Sequence, residues 1–422
     1  MRELVKHKAF TVLLRCMLLQ GIVYGVISNC LGVFTVAICD DCGFSRGDFG
    51  LLTTLRMVFN AVALLIMPRF IYGRWKNKLR YSITALGSLL FISYGAGAFL
   101  HDVKAWYVVG VLIGIGMSTF VVNQSYILGN WFHKYTNLAV GLSGAATGVA
   151  GMVLNPLASM LIQAIGWRKA LICLTLLGLA IVWLTGFRMH YTPEEEGLKP
   201  FGADMPQEAE KQQRSTPAKV VVYPITVFIP VVLLVMIPHC INETLSTSNS
   251  YFPTYATELG YHLSTAAVFA TFGMVGNMIG KVTIGIMFDH MDWRVATCVF
   301  EGVVLAGVVG LMLARECLPL TLLFCLMVGM IQCSSSVFLN AVARHVFGSQ
   351  NYVNTYSAIT SVSFVGVAVL YALAGYSYDH TGSFHDCFVF IIIAICAVLA
   401  LMPLLFTLRA RFGKETETLP RS

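Results

Sequence analysis

Charge is what this sequence has least of. Asp, Glu, Lys and Arg make up 12% of its 422 residues, about half the share of an average soluble domain. So little polarity excludes an ordinary soluble protein of this length, which needs far more polar surface to stay dispersed. Metal-binding pattern is equally scarce. Of twelve cysteines, only Cys39-Asp-Asp-Cys42 has a suggestive spacing, and no second pair completes a four-ligand site. The pair could hold a metal or close a tight disulfide; we read an ordinary loop with two thiols and expect no metal and no cofactor. The remaining cysteines mostly fall in apolar stretches, where they act as small apolar residues. A phosphate-binding loop is missing too. Gly276-Asn-Met-Ile-Gly280-Lys281-Val282 has one residue too few between its glycines and ends in Val, which excludes a built-in ATPase. No covalent chemistry is implied, so the chain is not read as an enzyme. No cleavable leader is expected either, because the N-terminal basic run leads into an apolar stretch too long for a signal peptide.

What the sequence has instead is apolar length. Hydrophobic residues make up 57% of it, in runs of about 20, the length that crosses a hydrocarbon core of roughly 30 Å as a helix. The pattern predicts twelve spans: 10–37, 49–68, 81–100, 105–128, 138–163, 170–187, 224–251, 262–288, 295–314, 318–343, 352–376 and 384–408. All should be helices, since a lone strand in lipid leaves its backbone groups unsatisfied. The fold class is therefore an all-α membrane protein. One long polar stretch, 188–223, reads as a solvated cytoplasmic linker. It divides the chain into a six-helix bundle (1–187) and a second six-helix bundle with a cytoplasmic tail (224–422).

The net charge of +7 does not signal nucleic acid, because its distribution is that of a membrane protein. The side holding the N-terminus, the loop after the second span, the linker and the C-terminus carries 20 of the 28 Lys and Arg. The opposite side carries Arg46, Lys104, Arg168, Lys169 and Arg315. That bias places both termini in the cytoplasm, in the inner (cytoplasmic) membrane of the cell. Arg15, Arg56 and Lys281 remain, inside spans.

The halves resemble each other. Met57-Val-Phe-Asn60 matches Met274-Val-Gly-Asn277, Asn130-Trp-Phe132 parallels His345-Val-Phe347, and Gly166-Trp-Arg168 parallels Gly382-Ser-Phe384. The near-constant offset suggests two pseudo-symmetric repeats, an arrangement that puts a substrate site at their interface near the midplane.

With these residues in view, the chain resembles the major facilitator superfamily. Gly285-Ile-Met-Phe-Asp289-His-Met-Asp-Trp-Arg294 is similar to that superfamily's cytoplasmic loop signature, which implies a conformational role for Gly285, Asp289 and Arg294. The first-half counterpart, Pro68 to Lys76, keeps the charge but has Pro and Tyr where Gly and Asp belong. Asn130-Trp-Phe-His-Lys-Tyr through Gly141, Gly166-Trp-Arg168, Phe347-Gly348 and Tyr378 to Phe384 resemble the oxalate/formate antiporter and monocarboxylate porter branch. The resemblance implies that Lys281, four residues before Gly285, holds the substrate carboxylate. The branch more often has Arg there, so a point charge replaces a bidentate grip. Asn277 stands where monocarboxylate porters often place Asp, which departs from a carboxylate-based proton mechanism at that position. Span 352–376 lacks the Lys that oxalate-type members carry. The family usually works as a monomer, and we expect the same here.

Charges in the spans carry the site hypothesis, since each costs about 2.5–3.5 kcal/mol at a span centre on insertion scales. Lys281 and Arg56 each lie about 12 Å from a membrane edge at helical rise. We expect them to face a common cavity and attract an anion; the bland alternative is that each pairs with a neighbouring helix. Arg15 can snorkel to the interface, and Glu301, in a peripheral ninth span, is read as structural. His239 and Glu243 share a helical face and are candidates for proton coupling, or else a structural pair or a counter-charge for a nearby cation. Asn123, with Gln124 beside it, is a candidate substrate contact or a backbone-bonding residue. Gly141, Gly144, Gly148 and Gly151 form a stripe that permits close helix contact.

The expected function is secondary active transport of a small mono- or dicarboxylate by alternating access, as proton symport or anion exchange. The partners are the small organic anion, the bilayer and, in symport, protons, with no nucleic acid. Two rivals stay open: the same fold exporting a neutral or drug-like compound, and a transport-like membrane sensor, for which the linker is short.

Overall fold

The computed structural model describes residues 7–44, 46–68, 79–202, 219–222, 224–246, 252, 255–256, 259–261, 263–314, 317–347, 355–364 and 385–417. Helices dominate because the predicted spans are apolar along most of their length, and helix continues even across Pro156, Pro230, Pro238 and Pro403. In the first half these are α1 (Lys8–Tyr24), a π-helical turn (Gly25–Asn29), α2 (Leu31–Cys42), α3 (Arg46–Pro68), α4 (Leu79–Ala96), α5 (Val103–Trp131), α6 (Thr136–Ile165) and α7 (Trp167–Gly186). The second half has α8 (Ile225–Ser246), α9 (Leu263–His290), α10 (Trp293–Leu313) and α11 (Leu318–Gly329). A 3₁₀ turn (Met330–Cys333) and a π turn (Ser334–Phe338) then lead into α12 (339–347), followed by α13 (355–364) and α14 (His385–Phe412).

Among the described residues, eight helices are long and apolar enough to cross a membrane, and three shorter apolar ones cover Leu51–Ile66, Phe228–Glu243 and Leu318–Cys333. These eleven fall on eleven of the twelve predicted spans. Most of the remaining span, 352–376, lies outside the described residues, as do 69–76, 208–214, Gly348 and 378–384.

Two compact units are present: Met1–Ala139 with Ala146–Glu210, and Val140–Ala145 with Lys211–Ser422. In the first, α3 and α4 pack on α5, and α7 packs on α4. In the second, α9 and α10 pack on α11, and α8 and α10 pack on α14. Many exposed side chains are apolar, including Leu65, Val153, Met160, Leu184, Ile229 and Ile393; this surface is the one lipid requires.

The polar stretch 188–223 is not solvated chain along its whole length. Met189, Tyr191 and Pro193 are buried, and Trp131 Nε1 donates to the His190 carbonyl (3.1 Å). Tyr191 stacks on Tyr126 at 4.6 Å, Phe201 bridges Phe132, and Glu196 pairs with Lys8 and His190. The apolar residues interspersed in this stretch have somewhere to bury, so 188–202 straps onto the first unit. Further on, β1 (Lys219–Val222) pairs antiparallel with β2 (Lys414–Glu417), joining the chain before α8 to the chain after α14.

Cys39 and Cys42 are a second departure. They lie in the last turn of α2, not in a loop; the loop begins at Gly43, whose φ of 69° is the left-handed cap that glycine accepts without cost. Neither is joined in a disulfide, and no group of three or more metal-ligating side chains occurs among the described residues.

Candidate functional site

Among the described residues, each unit buries one Arg or Lys, beside an irregular stretch of helix. In the first, Arg56 on α3 is 8% exposed. Its Nη1 donates to the Ile27 carbonyl (2.9 Å) and reaches Ser28 Oγ at 3.5 Å. Ile27 and Ser28 belong to the π turn, which opens the regular bonding ladder and turns a carbonyl toward the guanidinium. Tyr24 and Tyr94 lie within electrostatic reach. Asn60, one turn beyond Arg56 on the same face, is buried and its Oδ1 has no protein partner. α5 approaches α3 closely here: a Cβ on Gly114 would meet the Asn60 backbone nitrogen at 3.0 Å. In the sequence, only the repeat match of Asn60 to Asn277 marks this residue.

In the second unit, Lys281 on α9 is 7% exposed. Its ammonium donates to the Gly144 carbonyl (3.2 Å), in the segment 140–145 that groups with this unit. Gly141 lies against the Lys281 backbone, so part of the glycine stripe serves the close contact expected of it. Glu243 on α8 and Cys333 on the 3₁₀ turn are within electrostatic reach of the ammonium. Asn277, one turn before Lys281, is buried with Oδ1 unpartnered. α9 is held against α11 by backbone-to-backbone contact: a Cβ on Gly276 would meet the carbonyl carbon of Leu326 at 2.9 Å, and one on Gly280 would meet Met330 Cα at 2.8 Å. Met330 begins the 3₁₀ and π turns that pack against both α9 and α8.

His239 and Glu243 do share a face of α8. His239 is 1% exposed and neither ring nitrogen has a partner. Glu243 is buried within electrostatic reach of Lys281. Asn123 is elsewhere, in the first unit, donating to Thr119 Oγ1 (2.7 Å). With Gln20 and Gln124 it lines a pocket of about 20 Å³, room for one water and no more. The structure does not group Asn123 with Arg56.

The loop-signature residues sit mostly within helices. Gly285 and Asp289 belong to α9, and only Met291 and Asp292 separate it from α10. Asp292 caps α10 by accepting from the Arg294 amide (2.8 Å), and Trp293 stacks on His345 at 5.7 Å. The other family motifs also have structural duties. Asn130 and Trp131 bind the 188–202 strap, and Trp167 Nε1 donates to Asp41 Oδ2 (3.0 Å) while Arg168 pairs with the same carboxylate. These bonds, first from Trp167 and then from Arg168, hold the Asp41 carboxyl below its ordinary range.

Two sets of apolar helices, each burying a basic residue beside an irregular helical turn, are the frame of a multi-pass membrane protein. The chain belongs to the Major Facilitator Superfamily, whose profile matches residues 16–371. Members of this family are transporters, not enzymes. The fold is similar to that of the proton:xylose symporter XylE, with a TM-score of 0.71 at 13% identity, covering 94% of this chain and 95% of that one. In sequence it is similar to the riboflavin transporter RibJ of Trypanosoma brucei brucei (28% identical, 38% of this chain, 30% of the relative). It is also similar to the probable sulfoacetate transporter SauU of Cupriavidus necator (22%, 59% of each). Monocarboxylate transporter 12 of Rattus norvegicus matches at 20%, over 86% of this chain and 78% of the relative. The chain spans about a third or less of several of these curated relatives, 30% for Monocarboxylate transporter 12 of Mus musculus.

Proposed function

We propose that this secondary transporter carries a small organic anion, a mono- or dicarboxylate, with Lys281 as the main anchor and Arg56 as the second. The observation that carries the reading is Lys281 itself: a cation buried mid-span beside a glycine-lined helix contact and a broken helix. A cation in that position costs free energy that transport of an anion explains. Two relatives support the cargo class, being named for monocarboxylates and sulfoacetate. Asn277 and Asn60, each one turn from its cation with an unpartnered oxygen, are placed to orient the cargo; Asn123 is given no part. Gly285, Asp289 and Arg294 mark the tight cytoplasmic connection between α9 and α10, a region that moves as the protein alternates. Both termini are cytoplasmic in this reading, and the protein acts as a monomer in the inner membrane.

The riboflavin transporters among the relatives favour a second reading, in which the same fold carries a larger, uncharged compound. Thermal unfolding of the purified protein with carboxylates, sulfonates, flavins and cationic drugs separates the two. A ligand at 100 times its dissociation constant adds about 2.7 kcal/mol to the folded state. The anion reading expects one carboxylate or sulfonate class to stabilise the wild type and not Lys281→Gln. Stabilisation of both proteins alike by riboflavin, with no response to anions, overturns it.

A further inference from the structure

Glu301 sits on α10, in the ninth span, and was read from the sequence as structural; its side chain is 0% exposed. Oε1 accepts a hydrogen bond from Asn242 Nδ2 of α8 at 2.6 Å. Among the described residues Oε2 has no hydrogen-bond partner, and neither has Asn242 Oδ1. Among the described residues no cation pairs with this carboxyl. The titratable groups around it are few. Cys298 faces it from its own helix and Cys333 from the 3₁₀ turn after α11. α8 presents the Asn242 amide, with His239 and Glu243 on the same helix. α9 presents Lys281, which has Glu243 and Cys333 as its electrostatic neighbours. α14 keeps its cations, Arg409 and Arg411, in its last turn, with Arg409 Nε on the His345 carbonyl.

The two unpartnered oxygens flank an existing bond. If Glu301 were ionised, two acceptors would be left in a dry site with no donor for either and no cation to offset the charge. One proton on Oε2 supplies the missing donor: the acid donates to Asn242 Oδ1 while Asn242 Nδ2 donates to Oε1, and both groups are satisfied. We propose that Glu301 and Asn242 form a proton-binding site and that Glu301 carries the coupled proton. The proton enters Oε2 from water on one side and leaves to water on the other, with no bond change elsewhere. Cys333 is an electrostatic neighbour of both Glu301 and Lys281 and stands between the two sites in this proposal. A negative Glu301 would compete with an anion for the field of Lys281, whereas a neutral one would not. By reciprocity, anion and proton favour each other's binding, which is the logic of symport.

This inference rests on the anion-transport reading, and the test separates the two. The full-length protein is reconstituted in liposomes and given the carboxylate that best stabilises it. The wild type should accumulate it when the outside is acidic and exchange it without a gradient. Glu301→Gln keeps the pairing with Asn242 but cannot release a proton, so it should lose accumulation and retain exchange, with its melting temperature unchanged. Accumulation by Glu301→Gln at the wild-type level overturns the proposal, and so does a wild type that exchanges but never accumulates. If the wild type moves no carboxylate at all, the cargo reading fails, and infrared difference spectra still judge the site. A protonated-carboxyl band at neutral pH, shifted in Asn242→Leu and lost in Glu301→Gln, supports it; no such band in the wild type overturns it. The Asn242→Leu shift also serves should Glu301→Gln fail to fold.

Discussion

Replacing Gly280 with Ala places a methyl group 2.8 Å from both Cα and the carbonyl oxygen of Met330. Comfortable contact needs about 3.5 Å, so α9 and the start of the 3₁₀ turn must part by about 0.7 Å or strain in place. Both obstacles are backbone, and neither can swing aside like a side chain. Overpacking of this kind costs about 1–3 kcal/mol, while Ala in a helix recovers up to about 1 kcal/mol over Gly. The net expectation is a loss of up to about 2 kcal/mol. Gly302 on α10 is the internal control: a Cβ there meets nothing within 4 Å, so the same substitution should stabilise by about 0.5–1 kcal/mol. Thermal unfolding of the two variants beside the wild type in one detergent reads the difference in sign. The Gly280 variant should also respond less to the anion, because the displaced backbone is that of Lys281's own neighbour. Equal stabilisation by both substitutions would show that the α9–α11 contact is looser than described and would refute the packing argument.

Three further outcomes follow from single side chains. Arg56→Met removes a charge-assisted hydrogen bond worth about 1.5–3 kcal/mol but also a cation costing about 2.5–3.5 kcal/mol to bury. Unfolding should therefore move by no more than about 2 kcal/mol. If Arg56 holds the cargo, anion affinity should fall roughly 10- to 150-fold, measured by ligand-dependent thermal shift; unchanged affinity makes Arg56 a packing residue. Asp41→Asn tests the bonds from Trp167 and Arg168. The Asp41 carboxyl is depressed in the folded protein, so its stabilisation is present above the ordinary value of about 4 and is lost as pH falls through the depressed one. Wild type should melt above the variant at neutral pH and converge with it in acid; a gap independent of pH contradicts the assignment. Trp131→Phe deletes the bond to the His190 carbonyl at a cost of about 1 kcal/mol. Faster hydrogen exchange across 188–202 is expected, and unchanged exchange would mean that the strap is held by its aromatic contacts alone.

The membrane class, the helical character and the placement of the spans were legible because lipid imposes a constraint that acts on composition: an apolar run of sufficient length has to be a helix. The burial of Lys281 and Arg56 was legible for the same reason, since any charge in such a run stands out. Asn60 and Glu301 were not. Asn60 is one polar residue among several in apolar helices, and only its place in a repeat marks it. Glu301 looked peripheral because the contact that buries it comes from Asn242, 59 positions away.

The sequence by itself determined that this is a multi-pass helical membrane protein of two related halves with a cation in each, because periodicity, length and charge are local properties. Tertiary structure decided which polar groups meet. It turned the polar stretch 188–202 into a strap, moved Cys39 and Cys42 into a helix, set Asn123 beside Gln20 and Gln124 on a small pocket, and paired Glu301 with Asn242. Those outcomes depend on how closely helices approach, and that distance is set by residues such as Gly276 and Gly280, whose neighbours no local pattern reveals.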